Sequence, residues 1–195
     1  ATPTTVAAPT NATAGALPFI DAGGGRESWL TQAWATGLVG GTLVLYDRLL
    51  HIGSLSGTVA TAQTVGGTLT RNTGGVGNMV MIEIYTIIGT TGTTVTCSYT
   101  NQAGTSGRTS TAVAIGATNF REVSRAILLP LQSGDTGVQA VASVTLAATT
   151  GTAGNFGVTV INPIAYLAVG APGAPGWRDF VTGLPGIPAI EAGSC

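Results

Sequence analysis

The chain has 195 residues, 44% of them hydrophobic and only 8% charged, with a formal net charge of -1; this excludes whole-chain disorder, which pairs low hydrophobicity with high net charge. All seven basic residues are arginines scattered along the chain, which argues against a nucleic-acid partner, because neutralising a phosphate backbone takes clustered cations. No apolar run reaches the roughly 18 residues that a membrane-crossing helix needs, so no membrane partner is expected.

Taken in order, residues 1–16 contain small residues, Thr and Pro, with a single Asn. They can bury too little apolar surface to offset their ordering entropy, and they read as an arm that a partner would order. They also lack the basic start and apolar centre of a signal peptide. Leu17, Pro18, Phe19 and Ile20 form a short apolar anchor before Gly23-Gly24-Gly25, which reads as a swivel. Between Arg26 and Ala35, the spacing of Trp29, Leu30, Ala33 and Trp34 predicts a short amphipathic helix whose apolar face needs a cover. From Thr42 to Gly53 the chain opens as a strand or a short helix, with Asp47 and Arg48 at an edge, and Thr58 to Val65 has β character.

Met79 to Ile88 is almost entirely apolar, β-branched or aromatic, as in a strand covered on both faces. Thr93 to Thr100 alternates, with Val95, Cys97 and Tyr99 on one face and Thr94, Thr96 and Ser98 on the other. A turn-rich stretch, Asn101 to Gly107, leads to a further strand over Arg108 to Ala114, predicting a hairpin within three strands laid back and forth. Further strands are expected over Arg121 to Leu131, held to an edge by Pro130, over Val138 to Ala147 and over Phe156 to Ala168, the last two joined by a flexible loop.

The fold expected is therefore all-β: a single β-sandwich or jelly-roll domain over residues 42–168. An extended arm over 1–41, with the helix near 26–35, precedes it, and a Pro- and Gly-rich tail over 169–195 follows. Pro at the density of this tail keeps it extended and out of a regular central strand. Trp177, Phe180 and Ile187 give it points to dock.

Chemistry is sparse. Asp135-Thr136-Gly137 spells the aspartic-protease tripeptide, but Ser133-Gly134 precede it and a turn with an Asp side-chain-to-backbone bond accounts for it better. His51, the single histidine, has Asp47, Ser54 and Ser56 nearby without a nucleophile-elbow signature, and reads as structural. Neither zinc nor calcium spacing occurs, so no catalytic residue, metal, cofactor or small-molecule substrate is expected. Cys97 reads as a buried reduced thiol. Cys195 reads as an unpaired thiol on a flexible end, with a cross-link to a neighbouring subunit as the alternative.

An ordinary soluble domain carries roughly 25% charged residues, so a surface of Thr, Ser, Ala, Gly and Asn suggests a protein covered by neighbours. Trp29, Trp34, Trp177 and Phe180 are the expected anchors, because aromatic side chains are favoured at interfaces.

Three blocks, LVLYDRLLHIGSLSGTVATAQTV (Leu43 to Val65), YTNQAGTSGRTSTAV (Tyr99 to Val113) and LQSGDTGVQAVASVTL (Leu131 to Leu146), together resemble a family of tailed-bacteriophage virion structural proteins. The resemblance implies a virion location for a protein made in the host cytoplasm, and carries no assigned binding residues. Joined to the low charge, it gives the expectation of a non-enzymatic decoration or cement subunit on the capsid surface. Its partners would be the major capsid protein and copies of itself, a trimer favoured, with Ala1 to Gly25 and Gly170 to Cys195 ordering on neighbouring subunits. A tail or neck component and a host-surface or carbohydrate-binding module are the alternatives.

Overall fold

The computed structural model describes residues 4–17, 19–23, 26–181 and 187–195. Gly24 and Gly25 of the expected swivel, Pro18 of the apolar anchor, the first three residues and part of the expected tail lie outside them. All regular structure in the described residues is β. The strands run β1 (Ser28–Trp29), β2 (Gln32–Ala35), β3 (Gly41–Leu55), β4 (Gln63–Thr64), β5 (Met79–Thr86), β6 (Thr93–Asn101) and β7 (Arg108–Thr109). They continue with β8 (Val113–Ile115), β9 (Ala126–Leu129), β10 (Val138–Leu146), β11 (Asn155–Val169), β12 (Gly176–Asp179) and β13 (Ala189–Ile190).

Two compact units form, the first from Ala1–Pro9 and Arg48–Asn162, the second from Thr10–Asp47 and Pro163–Cys195. Strands β3 and β11 contribute residues to both.

The first unit is the sandwich. One sheet has the order β4-β10-β6-β7, with β8 also on β6; the other has the order β3-β11-β5-β9. Alternation supplies the core between them: Val95, Cys97 and Tyr99 from β6, Val80, Ile82 and Ile84 from β5, and Val138, Val141 and Val144 from β10 are each about 1% exposed or less. Each such side chain contributes about 1.5–3 kcal/mol relative to exposure.

Strands β5 and β6 were expected to pair back and forth, but they belong to different sheets. Both edges of β5 are occupied, by β11 and β9, so the chain crosses over at Gly89. The loop expected to be flexible is what fixes this crossing. Thr150 is fully buried; its hydroxyl accepts from Gly89 N (3.0 Å) and lies within donating reach of Gly57 O (3.1 Å) and Thr152 O (2.9 Å). The hairpin from β6 to β7 forms as the turn residues indicate, with Asn101 Oδ1 accepting from Ala103 N and Thr105 N. Its return strand breaks at Ser110, because Thr111 N leaves β6 to donate to Pro130 O (2.8 Å). Strand β9, which ends before Pro130, is an edge strand.

In the second unit the helix expected over residues 26–35 is replaced by two short strands. An isolated ten-residue helix is marginal, whereas pairing with the C-terminal segment satisfies this backbone: β1 lies on β13, with Trp29 opposite Ala189, and β2 lies on β12, with Trp34 opposite Trp177. Part of the segment expected as a C-terminal tail thus pairs within the chain, with residues 28–35. Ala33 and Ala35 turn inward against a small core of Ala165, Leu167 and Phe180.

Candidate functional site

Three polar or aromatic groupings stand out, two in the sandwich and one in the second unit. Glu83 lies on β5 in the middle of an apolar run, and its register places it opposite Gly157 of β11. A carboxylate that is 9% exposed needs partners. Arg48 Nη2 of β3 donates to Glu83 Oε1 and Tyr85 Oη donates to Oε2, both at 2.6 Å. The Tyr85 hydrogen is committed to Glu83, and its oxygen lies 3.1 Å from His51 Nδ1 and 3.3 Å from Nε2. His51 Nδ1 also lies 3.1 Å from Thr159 Oγ1 and 3.4 Å from Arg48 Nη1. The two rings meet edge to face at 5.7 Å.

These surroundings favour the neutral form of His51. Burial lowers its pKa first and the Arg48 charge lowers it further, against a smaller opposing pull from Glu83. Burial and the bond to Glu83 raise the Tyr85 phenol. The expected neighbours of His51 do not join it. Asp47 accepts from Cys195 N at 2.7 Å, and the Ser56 hydroxyl bonds to Thr58. Sequence reasoning missed the grouping because its members meet only through strand register; the isolated Glu83 in a buried run was the available signal.

Asp135 anchors the second grouping, and here the expected side-chain-to-backbone turn bond is corrected. The turn closes through Asp135 N to Gln132 O, while the carboxylate, 3% exposed, points inward. It accepts from Tyr99 Oη (2.6 Å), Asn101 Nδ2 (2.7 Å) and Arg108 Nε (2.9 Å). The Arg108 guanidinium first, then Tyr99, hold its pKa down at about 2. Its hydrogen-bond partners are donors and include no second carboxylate, so the proton-sharing pair of an aspartic protease is not assembled. Among the described residues no group of three or more His, Cys, Asp or Glu side chains is placed to hold a metal ion.

The third grouping is aromatic and exposed. Directly opposite residues of an antiparallel pair share a face, so Trp34 and Trp177 stand side by side on the outer face of the β2–β12 ribbon, 70% and 64% exposed. Trp29 is half exposed on β1. Phe180, expected as a fourth anchor, is corrected: it is 6% exposed and belongs to the small core, with Arg178 over its ring. Of the seventeen large apolar side chains left exposed among the described residues, eleven belong to the second unit, although it is the smaller.

The two cysteines are not joined to each other. Cys97 is 1% exposed, and burial pushes its thiol up to about 11, as expected for an inert core thiol. Cys195 is partly exposed, and its expected flexible end is instead held by the bond to Asp47 and by buried Ser194. A thiol reagent at neutral pH is expected to modify one cysteine per native chain, mapping to Cys195, and two after unfolding; rapid native modification of Cys97 would contradict the packing of β6.

No protein-family model, curated protein or solved structure matches the chain.

Proposed function

We propose that the chain is a structural subunit of a tailed-phage virion, a capsid decoration or cement protein that docks through its second unit. The observation that carries this reading is the concentration of exposed apolar side chains in that unit, on a chain with 8% charged residues. Contiguous exposed apolar surface marks interaction sites. The sandwich supplies a rigid body, and the polar groups it buries at His51 and Asp135 are spent on one another, a structural use.

Part of the C-terminal segment pairs with residues 28–35 in the β1–β13 and β2–β12 ribbons, so ribbon faces, and not loose arms, make the contacts in this reading. Burial of uncharged surface between the major capsid protein and this chain would close seams in the head. Trp34 and Trp177 side by side also favour a second reading, a platform on which a sugar ring stacks, and the chain then faces the host surface.

The test is head stability. Heads assembled without this chain are expected to release DNA at a lower temperature than wild-type heads, and adding the purified chain back should restore the difference. Equal release temperatures would overturn the cement reading.

A further inference from the structure

The β2–β12 ribbon has two features that a finished surface lacks. Among the described residues its sheet contains two strands, so each has a side with no described strand beside it. Exposed strand edges are templates for pairing with another chain unless something blunts them. Backbone bonds also continue beyond the strands, from Phe180 N on Thr31 O (2.9 Å) to Gly173 N on Gly37 O (2.9 Å). One face is already used, since Ala33 and Ala35 pack on the small core. Gly176 is also buried there, where a Cβ would run into the Ala168 carbonyl. The other face offers Trp34 and Trp177.

We infer that this face is a self-association surface, and that its occupant is the same face of a second copy of this chain. The inference rests on the assembly reading above and names the partner of the same surface. Two observations favour a copy over other occupants. The first is area. An indole side chain buries up to about 250 Å², so at 70% and 64% exposure the four indoles of a two-fold contact supply roughly 650 Å². That is about half of the ~1,200 Å² at which stable interfaces begin. Leu38 and Val39, in the turn that follows β2, are 92% and 76% exposed and extend the apolar surface toward that size.

The second is the extent of the apolar surface. A sugar ring needs one or two indoles and leaves Leu38 and Val39 uncovered.

Sedimentation velocity of the full chain, from sub-micromolar to high micromolar concentration, tests the inference. Wild type is expected to shift from monomer to dimer or a higher species, with indole emission moving to the blue over the same range. W34A/W177A, whose substituted side chains are mostly exposed, is expected to associate at least about tenfold more weakly, the loss typical of an aromatic hot spot. Far-ultraviolet dichroism and the melting temperature check its folding, and W177R, which adds like charge to both copies, serves as a second variant.

A wild type that stays monomeric throughout, or variants that associate as wild type does, would overturn the inference. So would a monomer whose indole emission shifts with a soluble oligosaccharide such as maltohexaose, which makes the surface a glycan platform. Any of these results leaves the head-stability test standing, so failure of self-association is distinguishable from failure of the virion reading.

Discussion

Replacing Gly157 by alanine is expected to lower the stability of the sandwich by about 3 kcal/mol or more, at the severe end for a one-carbon addition in a packed interior. Gly157 is a buried position of β11, next to β5 in the sheet. A Cβ there would meet the Ile52 carbonyl of β3 and would lie 2.7 Å from Cε2 of Tyr85. The carbonyl is backbone within the sheet and cannot swing away. The Tyr85 ring can move only by giving up its bond to Glu83 and its contact with His51. The glycine is therefore what lets the tyrosine cross β11 to reach β3, and the arrangement of Arg48, His51, Glu83 and Tyr85 depends on it. Urea unfolding of G157A beside G74A, a position with open space for a methyl group, measures the effect. Equal midpoints would contradict the placement of Tyr85.

The second large effect is expected at Asp135. D135A leaves the Tyr99 hydroxyl and the Asn101 amide, on residues 1% and 6% exposed, without their acceptor, and removes the ionic partner of Arg108. Stranding buried donors costs more than the net worth of the bonds that are lost. Because the folded-state pKa is held at about 2 against 3.8 for the free group, the unfolded chain takes up this proton first as the pH falls. The contribution of Asp135 is thus fully present above about pH 4 and is lost as the pH falls toward 2. Thermal melts from pH 6 to pH 2 should show a shallower acid decline for D135N, which keeps the shape and drops the charge, than for wild type. An acid limb of equal slope in the two proteins would contradict the arrangement around Asp135.

What could be read in the sequence was what short-range physics determines. The period-2 pattern of Val95, Cys97 and Tyr99 names the inward face of β6 directly, Pro130 marks the end of an edge strand, and Asn101 announces the turn after β6. What could not be read depended on pairing across the chain. Trp29, Leu30, Ala33 and Trp34 fit a helical face locally, and only their partners near the C-terminus, more than 140 residues away, turn them into strands. The same holds for the candidate site. Trp34 and Trp177 were visible as anchors, but not as cross-strand neighbours. Phe180 looked equivalent to them until its alternate position in the ribbon faced it toward Ala165 and Leu167. His51 and Glu83 became partners through the strand order β3-β11-β5 and the missing side chain at Gly157.

The account stands most directly on where the chain resides. Intact phage particles labelled with an antibody to this chain and viewed by electron microscopy, with copies counted per particle, give the answer. Dense labelling over the head is the expected result. Labelling confined to the tail or neck at low copy number, or particles that carry none of the chain, would contradict the capsid reading.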